Sequence, residues 1–273
     1  MANRAATPRD RQVGMRLRGL RQTRAKLNLE KAAKVTGLSP ATLCRIETGK
    51  RGVSSEEVAV IATAYRIPSS ERKELIEFVK SGDSGGWWER PLPGVPPEMG
   101  VLASYAAEAD SLTDWAVMLI PGLLQVEPYA RALIRSDGVP PEDVDFRWIA
   151  RQRRQEILGK IDYTAFVYET ALHVPFGGPQ VHKEQIRHLV GARDRGIGLR
   201  ILRARPLSLL FHSWHYMTFP GAEPVVNVEV LGGGLYLQDD RVDLYTRRLK
   251  LLHDLALSSA ESQAMLQALL KEM

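Results

Sequence analysis

The sequence predicts an α+β protein, in which an all-α first domain of five helices is followed by a mixed domain with a small sheet. Three observations predict this class. Apolar residues recur at helical spacing near the start of the chain, as at Val13, Leu17 and Leu20. Alternating segments rich in aromatic and β-branched residues, which are typical of strands, come later, as at 163–168. A Gly- and Pro-rich stretch at 81–98 separates the two patterns.

The helices of the first domain are predicted from their apolar spacing and their caps. Ser54 and Ser69 each precede glutamates within three residues, which is typical of a helix start. The predicted helices are one around 13–20, then 29–35, 39–48, 54–65 and 69–79.

The second domain mixes helical and strand periods. Its predicted helices are 129–134, 141–158, 181–193, 240–257 and 259–271. Its predicted strands are 163–168, 199–202, 225–230 and 235–238. Gly232-Gly233-Gly234 predicts a hairpin turn between the last two strands. In helix 240–257 we expect the apolar side to carry Leu244, Leu251, Leu252 and Leu255.

The domain boundaries are expected at 9–80 and 99–273, with a linker at 81–98. Gly85-Gly86 does not favour continued helix, and the proline-rich run 91–97 favours an extended connector. Trp87 and Trp88 are large apolar groups within this linker, and we expect them to dock against the second domain.

Length and composition fit two globular domains. The 273 residues are 44% hydrophobic and 25% charged. The single cysteine, Cys44, excludes an intrachain disulfide framework and a multi-cysteine zinc site. The longest apolar runs, such as 115–124, are too short to cross a bilayer, and the start Met-Ala-Asn-Arg lacks the apolar core of a signal peptide. We therefore expect a cytoplasmic protein that does not associate with membranes.

The positive charge is confined to the first domain. Residues 1–80 carry 17 Lys and Arg against 8 Asp and Glu, a net charge of +9. Residues 81–273 carry 20 basic against 24 acidic residues, a net charge of −4. A local excess of this kind indicates a polyanion partner, usually nucleic acid. On charge alone, a solvated basic surface on an ordinary domain stays an equal alternative.

The segment 28–49 predicts a helix-turn-helix. Asn28 is suited to cap a first short helix, and Gly37 stands where that helix must end in a left-handed residue. Ser39 caps a second helix, and Pro40 occupies its first position, where no amide donor is lost. Two short helices joined by a glycine turn form this DNA-binding motif; a helical hairpin that only packs is the alternative.

The second of these helices is expected to lie in the DNA major groove. Leu43 and Ile46 form its inner stripe, while Ala41, Thr42 and Arg45 fall on the opposite face. Thr42 can bond a base edge or touch a thymine methyl group, and Arg45 can bind guanine. Lysines and arginines around the motif suit phosphates. The predicted DNA-contacting residues are Asn28, Lys31, Ser39, Ala41, Thr42, Arg45, Lys50 and Arg51.

Residues 13–65 resemble the XRE, or lambda-repressor-like, helix-turn-helix regulators. The matching residues are Leu17-Arg18-Gly19-Leu20-Arg21, Ala33, Gly37, Ser39, Thr42 and the run from Arg45 to Arg51. The resemblance implies a lambda-repressor-like fold, sequence-specific DNA binding and a pair between Glu47 and Arg21. Leu29 stands where the family usually has a glutamine that contacts DNA, and Ala32 where it usually has a leucine.

The rest of the chain resembles the C-terminal domain of the actinobacterial WhiJ-like regulators. The matching segments are 120–125, 129–132, 151–158, Glu169, 171–172, 177–179, 184–185, 257–259 and 261–262. This resemblance implies a domain that senses a signal or binds a small partner protein, often encoded next door, in arrangements sometimes likened to toxin–antitoxin pairs.

Other chemistry-bearing residues point to ordinary structural roles. His212 and His215 would share a metal only on a helix, and no carboxylate or cysteine lies close to them in sequence, so we expect no metal site. No His-Glu-x-x-His or Gly-Lys-Ser/Thr motif occurs, so we predict no catalytic residue, no cofactor and no enzyme activity. For Cys44 we expect a small packed side chain, with a redox switch as the alternative.

Arg151, Arg153 and Arg154 form a second basic cluster on a predicted helix. We expect a solvated face whose charges pair with acids nearby in sequence, while contact with DNA or an acidic partner is the alternative. Those acids are Glu142, Asp143, Asp145 and Glu156.

These patterns together predict a sequence-specific, DNA-binding transcriptional regulator whose second domain binds a signal or a small protein. One recognition helix gives little contact area, so we expect a homodimer on two half-sites about one DNA turn, or a multiple, apart. The alternative is an antitoxin-like interaction protein that holds a small partner through 99–273 and autoregulates its own operon. An enzymatic second domain is a third and weaker hypothesis.

Overall fold

The computed structural model describes residues 8–82, 92, 94–220, 222–230, 233–238 and 240–273. The chain divides into two compact units, Met1–Arg90 and Pro91–Met273. The division falls within the predicted linker. Most of that linker, including Trp87 and Trp88, lies outside the described residues, and so do residues 231 and 232 of the predicted hairpin turn.

The first unit is all helical over residues 8–82, and each of the five predicted helices is present. They are α1 (Pro8–Leu20), α2 (Leu29–Thr36), α3 (Pro40–Glu47), α4 (Ser55–Ala64) and α5 (Ser69–Gly82). A π-helical turn, Arg21–Ala25, extends α1 and ends at Lys26, whose φ of 52° is left-handed.

The core of the first unit lies where α1, α3, α4 and α5 meet. Leu17, Leu43, Ile46 and Ile61 are fully buried there. The approach of α1 to α3 requires a glycine, because a Cβ at Gly14 would lie 2.1 Å from the Ile46 carbonyl oxygen. This packing fixes the orientation of α3 and therefore determines which of its residues face outward.

The second unit contains a mixed sheet of six described strands in the order β3-β2-β1-β4-β5-β6. Strands β1, β2 and β3 are parallel, whereas β4, β5 and β6 add antiparallel to the other edge of β1. The strands are β1 (Ser111–Ala116), β2 (Asp162–Tyr168), β3 (Gly198–Leu202), β4 (Trp214–Phe219), β5 (Ala222–Val230) and β6 (Gly233–Leu237). The α+β class is confirmed, but the sequence prediction missed β1 and β4.

Helices cover both faces of this sheet. They are α6 (Pro97–Glu108), α7 (Glu127–Ser136), α8 (Pro141–Gln155), α9 (Pro179–Val190), α10 (Asp240–Leu255) and α11 (Ser259–Glu272). Residues of α6, α7, α9 and α11 join one core cluster with the sheet, and residues of α10 join the cluster on the opposite face. Helix α6 was not predicted from the sequence.

The orientation of α10 differs from the prediction. Leu252 is buried and Leu255 packs partly buried against the same cluster, both as expected, but Leu244 and Leu251 are exposed. The buried positions are instead Val242, Tyr245 and Leu252, at spacings of three and seven, which face the sheet. The many leucines of this helix gave two possible apolar stripes, and packing against the sheet selects one of them.

Candidate nucleic-acid interface

Local side-chain caps set the geometry of the helix pair α2–α3. Asn28 Oδ1 accepts from the Lys31 amide at 2.9 Å and caps α2. Gly37 ends α2 with a φ of 71°, a left-handed conformation that disfavours other residues. Ser39 Oγ accepts from the Thr42 amide at 3.1 Å and caps α3, with Pro40 in the first turn. The predicted helix-turn-helix therefore forms from signals within one short segment.

The face of α3 predicted to contact DNA is exposed. Ala41 and Arg45 are exposed and Thr42 is half-buried, whereas Leu43 and Ile46 are fully buried. The Ser39 hydroxyl donates to Thr42 Oγ1 at 2.9 Å, which fixes the threonine side chain and leaves its own hydroxyl proton able to donate. Arg45 makes no hydrogen bond or ion pair with the residues that the structure describes. Its guanidinium is therefore available to a partner.

A buried ion pair connects α3 to the end of α1. Arg21 Nε and Nη2 each donate to a Glu47 carboxylate oxygen at 2.8 Å, and Tyr65 Oη donates to Glu47 Oε1 at 3.2 Å. The Arg21 side chain is 9% exposed and that of Glu47 is 3% exposed. The pair implied by the family resemblance is therefore present, and it holds the C-terminal end of α3 in place.

Burial and the pair itself shift the pKa values of this cluster. The hydrogen bonds that Arg21 donates to Glu47 raise the pKa of Arg21, although desolvation acts in the opposite sense. Burial, followed by the charge of Glu47, raises the pKa of the Tyr65 hydroxyl well above its ordinary value. Both groups keep their protons at neutral pH, so the cluster stays a set of donors around one carboxylate.

The predicted phosphate-binding residues have different surroundings. Lys31 and Lys50 are exposed, as is the cap residue Asn28. Arg51 is half-buried, and its Nη2 lies 2.8 Å from Glu57 Oε1. Glu57 also belongs to the capping box of α4. Arg51 thus has an intramolecular partner, at the start of α4, that the sequence prediction did not include.

Cys44 departs from its predicted environment. We expected a small packed side chain, but the thiol is exposed on α3 next to Arg45. The reason is the helical phase: Leu43 and Ile46 take the inner positions, which turns residue 44 outward.

Other basic residues of the first unit pair across α1 and α5. Arg24 Nη1 lies 3.1 Å from Glu71 Oε2, and Arg16 lies 3.7 Å from Glu71 and 3.6 Å from Glu74. These exposed pairs offset part of the positive charge away from α3. Arg45 and Lys50, on and just after α3, have no such acidic partner among the described residues.

In the second unit, the two histidines considered as a possible metal pair have different partners. His212 Nε2 lies 2.9 Å from the Tyr245 hydroxyl, whereas His215 Nε2 lies 3.1 Å from Asp114 Oδ1. The two histidines therefore do not converge. Over the described residues, no group of three or more His, Cys, Asp and Glu is placed to hold a metal ion.

The prediction of a solvated arginine face on α8 is wrong for Arg154, which is 8% exposed, and Arg151 is half-buried. Helix α8 packs against α6, α7 and the 3₁₀ turn Gly122–Leu124, which turns these side chains inward. Asp145, an expected partner, pairs instead with Arg131. Sequence reasoning also missed Asp114 and Asn227, because isolated polar residues within apolar strands gave no motif.

Comparison with known families gives two matches. A helix-turn-helix domain model matches residues 12–75. Residues 99–268 match a model described as a domain of unknown function, DUF5753. No match was found among curated proteins or among solved structures. Searched over its described residues, the chain has no helix with the length and apolar character needed to cross a membrane.

Proposed function

Because the chain belongs to the DUF5753 family and carries a helix-turn-helix domain, we propose that it is a sequence-specific transcriptional regulator of the XRE, lambda-repressor-like type. The helix-turn-helix domain supports DNA binding and transcription regulation. The observation that carries the finer proposal is the outer face of α3, where Thr42 and Arg45 face solvent while Leu43 and Ile46 are buried. Helix α3 enters the major groove with its N-terminal residues at the base edges.

The contact area of one such helix favours a dimer. Helix α3 has eight residues, a length of about 12 Å. A single small module buries roughly 600–1,000 Å² on DNA, while tight specific complexes typically bury 1,000–2,500 Å². We infer a homodimer that binds two half-sites about one DNA turn, or a multiple, apart. We also propose that the protein resides in the cytoplasm, where the chromosome of a bacterium lies.

The proposal is tested by reversing one charge on α3. The probe is a duplex selected by the purified full-length protein from genomic fragments and mapped by footprinting. The substitution Arg45→Glu should weaken binding by more than about 100-fold, because a bidentate guanine contact is worth about 1–3 kcal/mol and the new carboxylate repels the phosphates. The melting temperature should change little, since Arg45 has no partner among the described residues.

A matched control separates this effect from overall charge. Lys73→Glu makes the same change of charge at an exposed position of α5 and should weaken binding only through the reduced general attraction. Equal affinity of Arg45→Glu and Lys73→Glu for the selected duplex would remove α3 as the recognition helix.

A second candidate function is an antitoxin-like interaction protein that holds a small partner through its second unit and autoregulates its operon. Exposed apolar side chains at the shared end of β1 and β4 favour it: Met118 is 60% and Phe211 80% exposed. The two loops that carry them are joined by a bond from the Val117 amide to Ser213 Oγ. Such apolar exposure is typical of a protein contact. Co-purification with the neighbouring gene product would support it, and tight DNA binding that needs no partner would count against it.

The second unit on this view acts by binding rather than catalysis. The WhiJ-like resemblance of its sequence supports a sensing or partner-binding role. An assay of the purified chain for turnover of any ligand that it binds tests this part of the proposal.

A further inference from the structure

Arg154 on α8 is a buried arginine that has no ion-pair partner among the described residues. It is 8% exposed, and its Nε is enclosed and has no hydrogen-bond partner. Its side chain makes no hydrogen bond and no ion pair with any residue that the structure describes. A guanidinium offers five N–H donors and does not lose its charge in proteins. Burying it unpaired is strongly unfavourable, so such an arginine indicates a missing anion.

A row of polar side chains crosses the sheet on the face that α6 covers. Asp114 on β1, His215 on β4, Asn227 on β5 and Tyr236 on β6 are successive cross-strand partners. Tyr163 Oη donates to Asp114 Oδ2 at 2.7 Å. His215 Nδ1 lies 3.1 Å from Asn227 Oδ1. The row interrupts an otherwise apolar face. Leu112 and Met217, which form the next pair on the same face of β1 and β4, belong to the apolar core.

One donor within this row lacks a partner. Asn227 is 1% exposed, and its Nδ2 amide has no hydrogen-bond acceptor. A Cβ on Gly234 would lie 2.5 Å from this nitrogen, so the glycine makes room for the amide. By contrast, Asp114 is occupied: Oδ2 accepts from Tyr163, and Oδ1 lies 3.1 Å from His215 Nε2, close enough for an ion pair although not aligned as a hydrogen bond. Asp114 therefore makes no direct ion pair with Arg154 among the described contacts.

The charge of Arg154 affects two tyrosines of the sheet, one on β2 and one on β6. Burial raises the pKa of Tyr163 on β2 and of Tyr236 on β6, and the charge of Arg154 acts in the opposite sense on each. Asn227 is paired in register with Tyr236, one of the two tyrosines on which this charge acts. Arg151 adds a second cation: burial, and then the charge of Arg154, lower the pKa of Arg151 to about 10.

Arg151 is only partly satisfied. Its Nη1 donates to Gln125 Oε1, whereas its enclosed Nε has no partner. The charge of the exposed Glu229 acts on Arg151, but the two residues form no ion pair among the described contacts. The site therefore carries two guanidiniums and one free amide donor, with no carboxylate bound to the arginines among the described residues.

We propose that Arg154, Arg151 and Asn227 form a binding site for a small organic anion, a carboxylate or a phosphate ester, between α8 and the sheet. The anionic group binds the guanidinium of Arg154, and Asn227 Nδ2 donates to a further oxygen of the ligand. Guanidinium geometry suits both carboxylate and phosphate. Anion binding itself is independent of DNA; that the anion acts as an effector rests on the proposed function.

The site is tested by thermal unfolding of the full-length protein with inorganic phosphate or acetate, each against chloride at equal ionic strength. Phosphate also stabilises proteins by general exclusion from their surfaces, so the measured quantity is the difference between wild type and variant. For the ion that binds, we expect a rise of about 5–10 °C at 100 times its Kd in the wild type. This rise should be absent in Arg154→Met and reduced in Asn227→Ala.

The matched control is Arg187→Met, which makes the same substitution at an exposed helical arginine of α9 and should keep the full rise. Without added anion, Arg154→Met should melt no lower than the wild type, because it removes an unpaired buried charge. A lower melting temperature, a failure to fold, or equal anion effects in wild type and Arg154→Met would each show that Arg154 is structural and overturn the site. DNA affinity is measured separately, so loss of either property leaves the other standing.

Discussion

Removal of the Glu47 carboxylate should strongly lower the stability of the helix-turn-helix domain, because it leaves a buried charge unpaired. Glu47 accepts from Arg21 through two bonds of 2.8 Å and from Tyr65 through one of 3.2 Å. In Glu47→Ala, Arg21 keeps its bond to the Leu27 carbonyl but buries the rest of its charge unpaired. Breaking a buried pair in this way costs about 3–5 kcal/mol.

The consequence can be measured by hydrogen exchange of residues 8–82 in the full-length chain. A loss of about 3–5 kcal/mol corresponds to roughly two to four decades in the protection of the core amides. For a domain of this size it also lowers the local melting temperature by roughly 12–40 °C. Protection in the second unit should not change, since the chain divides between Arg90 and Pro91.

Two further variants make the reasoning refutable. Glu77→Ala removes an exposed carboxylate of α5 and should change protection little. The double variant Arg21→Met/Glu47→Leu removes both charges and should recover most of the loss, because apolar replacements of buried pairs are often neutral or stabilising. A loss below about 1 kcal/mol in Glu47→Ala, or no recovery in the double variant, would show that the pair does not hold α3.

Two other predictions follow from local geometry and from pKa shifts. Gly14→Ala places a Cβ 2.1 Å from the Ile46 carbonyl oxygen and should cost about 1–3 kcal/mol in the same exchange experiment; unchanged protection would contradict the close approach of α1 and α3. Burial, and then a neighbouring arginine, lowers the pKa of His188, His212 and His253 below the ordinary 6.5. The folded state thus favours the neutral rings, so this stability is present above about pH 6.5 and is lost as the pH falls through the lowered values. Calorimetry should show the second unit melting lower at pH 5 than at pH 7.5, and a higher melting point at pH 5 would refute the sign.

The helix-turn-helix could be predicted because its signals are local. Asn28 and Ser39 cap the helices that they precede, and Gly37 takes the left-handed conformation that its position requires. The exposed face of α3 follows from the spacing of Leu43 and Ile46 alone. The environment of Cys44 could have followed from the same spacing.

The sheet was harder to predict because its missed strands carry the polar row. Asp114 in β1 and His215 in β4 interrupt the apolar alternation that identifies a strand. Asp114 and His215 are 101 residues apart in the chain and meet only through strand pairing. The burial of Arg154 was likewise hidden, because the last turns of α8 contain so few apolar residues that the sequence does not show which side faces inward. Tertiary packing, rather than local propensity, determines β1, β4 and the burial of Arg154.

Arg21 and Arg154 offer an internal comparison that separates a structural arginine from a binding one. Both are buried to a similar degree, but Arg21 has a carboxylate at 2.8 Å, while Arg154 has no such partner among the described residues. The same substitution should therefore act in opposite directions. Arg21→Met leaves the Glu47 carboxylate unpaired and should lower the stability of the first unit, whereas Arg154→Met removes an uncompensated charge and should leave the second unit as stable or more so. If both substitutions lower stability by a similar amount, Arg154 is a structural residue like Arg21, and the proposed anion site is refuted.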